Sequence, residues 1–324
     1  MRAHNVHQIY LFVVILLLSG LAPSPATARQ LNEPPPLRKH TWLTDPILIQ
    51  YGAWGGDGAW PWQAQFAHSF VLYSDGRLIT HGGGDYDRPI IYESQLSRRD
   101  ICRLLYTIEQ TGFFDLDFAK NESDPTAPYR YEAALGDERL KNLGEGGPSI
   151  VIKINAWQKV DAKFYMLGQL LYVLREASDV DEKTYVHPAI SAIAEGIEGY
   201  RPHQLTLFQP AAVAISAGRV DGIPTGFISQ SWPIRNIVLE KPPAEWPYVW
   251  IYRGPLAAQL YRQVLDNPYF YDRLDYHVVS VYPVFPQAKL LGSPDVPVEA
   301  PLPKRRNTCV PEDGLLNRPW GWQR

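Results

Sequence analysis

Short runs of alternating apolar and polar residues dominate this chain, interrupted by a few apolar stripes of helical period. Residues 46–51 (Pro-Ile-Leu-Ile-Gln-Tyr) read as a first strand. Residues 70–73 (Phe-Val-Leu-Tyr) and 77–80 (Arg-Leu-Ile-Thr) flank Ser74-Asp75-Gly76. Asp-Gly suits the positive φ of a type I′ turn, so this pair predicts a hairpin. A third strand is expected over 89–93. Ser97 then offers an N-cap oxygen, with Asp100 in the first turn to complement the helix dipole. Ile101, Leu104, Leu105 and Ile108 form one stripe, Gly112 ends the helix, and Phe113-Phe114 return the chain to the core. Residues 119–148 lack periodicity and read as a long loop.

Residues 149–155 and 159–165 predict a second hairpin, followed by a helix over 166–177 with Leu167, Leu170, Leu171 and Leu174 on one face. Pro188 opens another helix at the position where its missing N–H is harmless; Ile190, Ile193, Ala194 and Ile197 form its stripe and Gly199 ends it. Short strands are expected at 205–208 and 212–216, then a Gly-, Pro- and Ser-rich stretch over 217–246 and a strand at 248–252. Gly254-Pro255 starts a helix with Ala257, Leu260, Tyr261 and Val264 inward, and Asn267-Pro268 stops it. Residues 276–281 read as a last strand before Pro283. Antiparallel hairpins with helices packed on one face define an α+β fold, as one body or as two small α+β modules. The divisions expected are a signal peptide at 1–28, a linker at 29–45, α+β domains at 46–200 and 201–287, and a Pro-rich, basic and Trp-rich tail at 288–324.

The amino-terminal segment supplies the address. Arg2 precedes an apolar run, Ile9 to Leu18, and Ala26-Thr27-Ala28 is a small-x-small cleavage site. The unbroken stretch from Ile9 to Ala22 falls short of the about 20 residues a membrane span needs, and Pro23 and Pro25 stop it. Cleavage after Ala28 is therefore expected over a membrane anchor at residues 9–22, with the chain secreted or extracytoplasmic and in contact with membrane only through its signal peptide. Cys102 and Cys309 are the whole cysteine inventory, and an oxidising compartment permits them to pair, although spacing alone does not decide it. With 31 Lys+Arg against 34 Asp+Glu, the chain has no overall basic footprint for nucleic acid. Its 29 prolines exceed the about 5% usual share, and ten Trp are present.

Candidate chemistry is sparse. His81-Gly82-Gly83-Gly84 resembles a glycine loop that presents N–H groups to an oxyanion, but the chain lacks a G-x-S-x-G elbow; Gly147-Pro148-Ser149-Ile150-Val151 is the nearest sequence. His81, Asp85 and Asp87 have metal-ligand chemistry without a fourth partner, and Asp115, Asp117, Asn121 and Asp124 meet Ala119 and Thr126 where a calcium loop needs ligands. His187, His203 and His277 have no Ser or Cys at motif spacing. No catalytic residue, metal site or cofactor is assigned. Trp54, Trp60 and Trp62 crowd a glycine-rich stretch, where their rings are candidates for stacking on a ligand. Lys304-Arg305-Arg306 is a short basic run in the tail.

The Asp75-Gly76 hairpin leading through a helix to Gly112-Phe113-Phe114-Asp115-Leu116 resembles a module of uncharacterised exported bacterial proteins and lipoproteins. The stretch from Trp232-Pro233 through Gly254 to Tyr282-Pro283-Val284-Phe285-Pro286 is similar to the second half of some of them. A lipidation Cys near the cleavage site is missing. The resemblance implies an envelope protein without an assigned activity. The function expected is a non-catalytic binding or structural module with a cell-envelope glycan or protein as partner. The alternatives are an esterase-like hydrolase using the His81–Gly84 stretch, or a domain that acts only through a protein partner.

Overall fold

Strand β1 (His40–Trp42) pairs antiparallel with a strand from the far end of the chain, Asn307–Cys309, to make a separate two-stranded ribbon. These positions belong to a computed structural model that describes residues 40–42, 47–54, 70–83, 89–117, 129–143, 147, 149–156, 159–164, 166–202, 204–241, 249–273, 275–286 and 307–309. Arg38–Arg324 forms one compact unit. The ribbon shows that short strands occur inside both segments read as linker and tail. It is joined to the body by a disulfide between Cys102 and Cys309, with a Cα–Cα distance of 5.5 Å.

The next strands are β2 (Ile47–Trp54), β3 (Phe70–Tyr73), β4 (Arg77–Gly83), β5 (Ile90–Gln95), β6 (Ser149–Asn155), β7 (Lys159–Phe164) and β8 (Thr206–Leu207). They form one antiparallel sheet in the order β7-β6-β2-β3-β4-β5-β8. The β3–β4 hairpin forms as expected, with a different turn. Only Gly76 takes a positive φ (94°), its N–H donates to the Tyr73 carbonyl, and Asp75 Oδ1 accepts from the Arg77 N–H. A type I′ turn needs two positive φ angles, so the connection is a three-residue loop with glycine in the left-handed position.

Helix α1 (Arg98–Gln110) starts in a capping box: Ser97 Oγ accepts from the Asp100 N–H while the Asp100 carboxylate accepts from the Ser97 N–H. Gly112, at φ 78°, turns the chain so that Phe113 and Phe114 are buried. The segment read as a long loop contains helix α2 (Tyr131–Leu135) and a 3₁₀ turn at Glu138–Leu140. Its order comes from side-chain chemistry that periodicity does not report. Asp137 accepts from the Arg139 backbone and guanidinium and from Tyr185 Oη. Those hydrogen bonds hold the Asp137 carboxyl well below the usual carboxylate range.

Helices α3 (Leu167–Glu176) and α4 (Pro188–Gly199) follow; His187 caps α4, its Nδ1 accepting from the Ala189 N–H. Register tells which sheet face they cover. Tyr51 and Phe70 are cross-strand partners and therefore share a face. Tyr51 Oη donates to Glu198 at 2.6 Å, and the Phe70 ring meets Tyr200 edge-on at 5.7 Å. The opposite face carries Val71, Tyr73, Ile79 and Ile91, which pack with the second half of the chain.

That half is built from β9 (Ala212–Val220), β10 (Gln230–Ser231), β11 (Trp250–Arg253), helix α5 (Ala257–Asp266), β12 (Tyr269–Asp272) and β13 (Asp275–Pro283), with Asn307–Cys309 as β14. The second sheet runs β10-β12-β13-β9-β11 and is antiparallel except for the β10–β12 pair. Helix α5 packs on β13 and β9. One buried cluster runs from Ile47, Val71, Ile79 and Ile91 into Val213, Ile215, Leu260, Val279 and Val281. The α+β body is thus layered, with helices on one side of the first sheet and the second sheet with α5 on the other. Tyr261 fastens the seam. Its hydroxyl accepts from the Ile91 N–H at 2.8 Å and donates to the Pro89 carbonyl at 2.7 Å, satisfying β5 backbone groups.

Candidate binding face on the second sheet

The second sheet has one face turned to the core and one partly open. On β13, His277, Val279 and Val281 share the side that faces Arg219, Ala217 and Ile215 of β9; Tyr276, Val278, Ser280 and Tyr282 share the other. Along that second side burial changes steeply. Tyr282 is 1% exposed, whereas Tyr276 and its cross-strand partner Tyr271 are each 39% exposed. The register adds Tyr269, opposite Val278, and the small residues Gly218 and Ser216 of β9. Two ring pairs occupy this end: Tyr271 with Tyr276 at 5.3 Å, and Tyr269 with Phe227 at 4.9 Å. Ile228 beside them is 79% exposed.

Asn267 holds the platform in shape. Its Nδ2 donates to the Ile228 carbonyl, its Oδ1 accepts from the Tyr269 N–H at 3.1 Å, and its carbonyl accepts from Gln230 Nε2. Behind the platform, Trp232 packs edge-on against Phe270 at 5.3 Å. The flanking charges are committed: Arg219 pairs with Asp275 at 2.7 Å, and Asp272 accepts from the Leu239 N–H at 2.9 Å. The result is a preorganised aromatic surface with one ion pair beside it.

The residues singled out by sequence lie elsewhere. Trp54 ends β2 with its backbone opposite Ser149, while Trp60 and Trp62 lie outside the described residues. His81, Gly82 and Gly83 belong to β4, with an irregularity in the ladder between His81 and Gly83; Gly84, Asp85 and Asp87 lie outside the described residues. A Cβ on Gly82 would meet the Tyr92 ring at 2.1 Å, so this glycine makes room for an aromatic side chain. Ser149 is buried and its Oγ accepts from the Met166 N–H at 3.3 Å. His203 lies outside the described residues. His277 is 1% exposed with neither ring nitrogen hydrogen-bonded. Among the described residues, no group of three or more His, Cys, Asp or Glu is placed to hold a metal ion.

The sequence reading assigns no element between Pro268, where it stops the helix, and Tyr276, where its last strand begins, so the Tyr face is missed. The signal was present: Tyr-Phe-Tyr over 269–271 alternates a buried Phe270 with two less buried tyrosines, the mark of a strand with one face outward. The chain matches no protein-family model, no curated protein and no solved structure.

Proposed function

We propose that the chain is an exported, non-catalytic binding protein of a bacterial envelope, and that it holds a neutral glycan on the Tyr269, Tyr271 and Tyr276 face. The observation that carries this reading is the exposure of paired aromatic rings on a fixed sheet surface, since exposed, contiguous apolar area marks interaction sites. Tyrosine suits a sugar partner: the ring offers an apolar face and the phenol a hydrogen bond. Tyr269, Tyr271, Tyr276, Val278 and Ser280, which the register places on this face, carry no charge, and this favours an uncharged ligand over an ionic one. The export pattern of residues 1–28 and the resemblance to exported bacterial proteins support the compartment. The cysteine pair belongs to the same setting, because disulfides persist outside reducing compartments.

The test is titration of the mature chain with a panel of neutral soluble envelope-type glycan fragments by calorimetry. The reading expects binding that Tyr271→Ala or Tyr276→Ala weakens by more than about fivefold, the cost of truncating a contact worth more than about 1 kcal/mol. Silence of the wild-type chain across the panel, or binding indifferent to both changes, defeats it.

A further inference from the structure

Gly218 interrupts β9 without a packing reason. It lies inside the strand, opposite Val278 of β13, and it is exposed. Its φ lies outside the left-handed region that favours glycine. Among the described residues, a Cβ built on it would meet only Val278 Cγ1, at 3.7 Å, which is ordinary van der Waals contact. Gly82 is the contrasting case, because there a Cβ would strike the Tyr92 ring. Glycine inside a strand weakens it and packs nothing; where it occurs it marks a bulge, a tight bend, or a place where another backbone or a ligand approaches closely. The β9–β13 ladder runs in unbroken register from the Tyr276–Val220 pair to the Pro283–Val213 pair, so no bulge accounts for Gly218. Strand β11 pairs only with residues 212–215 of β9, so among the described residues no second strand lies beside Gly218.

Gly218 shares its face with the tyrosine platform. Register puts Tyr269 and Tyr271 of β12, Tyr276 and Val278 of β13, and Gly218 of β9 on the same side. Neighbouring strands stand about 4.8 Å apart, so Gly218 lies about 10 Å across the sheet from β12, with β13 between them. One sugar ring covers one phenol ring, and reaching Gly218 as well takes a second, linked ring. The next pair on this side is Ser216 with Ser280, both partly exposed, whose hydroxyls can hydrogen-bond to sugar hydroxyls beyond the aromatic part.

We infer that the site takes a chain of two or more linked neutral sugars, lying from the Tyr271–Tyr276 rings across β13 onto Gly218, and that Gly218 sets the length of chain accepted. The inference rests on the glycan reading of the tyrosine face and adds the length of its ligand. The bare backbone at Gly218 lets the second ring lie against the sheet, and a side chain there would stand where that ring goes.

The experiment is titration of the chain with linear oligomers of glucose and of N-acetylglucosamine, from the single sugar to the tetramer, followed by nuclear magnetic resonance, which reads weak and tight binding alike. Affinity rises more than about fivefold from the single sugar to the trimer. Gly218→Val removes most of that gain, leaves the single sugar unaffected and does not lower the melting temperature, because valine suits a strand. Gly218→Ala removes part of the gain and carries the comparison should the valine variant not fold. A melting temperature lowered by the alanine change shows that the fold itself requires glycine there, and overturns the inference. Equal affinity for single sugar and tetramer, or a gain with length that neither variant reduces, overturns it and leaves the glycan reading standing. Silence across all lengths of both sugars defeats the glycan reading and this inference with it.

Discussion

Replacing Cys102 and Cys309 together by alanine removes the cross-link while keeping both positions small and apolar. The bond spans 207 residues, which include the whole second sheet and strands β6, β7 and β8 of the first. In the chain-entropy treatment, closing a loop of this length restricts the unfolded chain by about 5 kcal/mol at 25 °C, and measured removals cost about 2–5 kcal/mol. Both cysteines are buried, at 4% and 1% exposure, so a small packing loss adds to this. The expected loss is about 3–5 kcal/mol, a large share of the about 5–15 kcal/mol that holds an ordinary protein folded. The assay is urea unfolding of the chain, oxidised wild type against the double variant, followed by far-UV dichroism. The variant's midpoint falls, and its slope rises because the uncross-linked unfolded chain exposes more surface. A local effect accompanies the global one. The β1–β14 ribbon joins three residue pairs across 267 positions of chain and has no turn of its own. A two-stranded ribbon alone is marginal in water, so amide exchange at residues 40–42 and 307–309 accelerates in the variant. A midpoint shift below about 0.5 kcal/mol together with unchanged exchange refutes the reasoning, because neither constraint would then be acting.

Three further outcomes follow from buried polar groups and from one glycine. Tyr261→Phe strips partners from the Ile91 N–H and the Pro89 carbonyl and costs about 1–3 kcal/mol in urea unfolding; a neutral change shows that water replaces the hydroxyl. Gly76→Ala places a Cβ 2.5 Å from the Leu96 carbonyl at φ 94°, and costs more than about 1 kcal/mol by thermal melting; an unchanged melt contradicts the packing of this turn. Burial pushes Tyr51, Tyr200 and Tyr261 up from the usual phenol range, Tyr51 with help from Glu198. Their contribution is complete below the unfolded-state value of about 10 and is lost as pH rises above it, because the unfolded chain releases protons that the native chain keeps. Stability then falls by about 1.4 kcal/mol per pH unit for each tyrosine, so urea midpoints at about pH 9 and about pH 11 separate clearly; equal midpoints contradict the burial assigned to these phenols.

What the sequence disclosed and what it concealed divide along physical lines. The Ser97 N-cap, the turn glycines Gly76 and Gly112, and the proline at the start of α4 are local devices acting within a few residues, and each is legible; the reciprocal Asp100 contact that completes the capping box shows only in the structure. The Tyr261 hydroxyl meets backbone 170 and 172 residues away, and β1 finds its partner at the opposite end of the chain, so no pattern of neighbours reports either. Strand β12 is only four residues long and directly follows a helix end, so its alternation of Tyr, Phe and Tyr is a short signal that goes unread beside the stop at Asn267-Pro268. The order within 129–143 rests on the Asp137, Arg139 and Tyr185 contacts, again beyond reach of periodicity. The candidate site suffers most from this, because its rings come from β12, β13 and the residues before β10, which only the register of the second sheet brings together.

The most direct test of the functional account is calorimetric titration of the chain with neutral envelope-type glycan fragments, alongside the Tyr271→Ala/Tyr276→Ala variant. The account predicts saturable binding by the wild type and a loss exceeding about tenfold in the variant, with an unchanged melting temperature. Binding of equal strength in both proteins, or no binding in either, contradicts it.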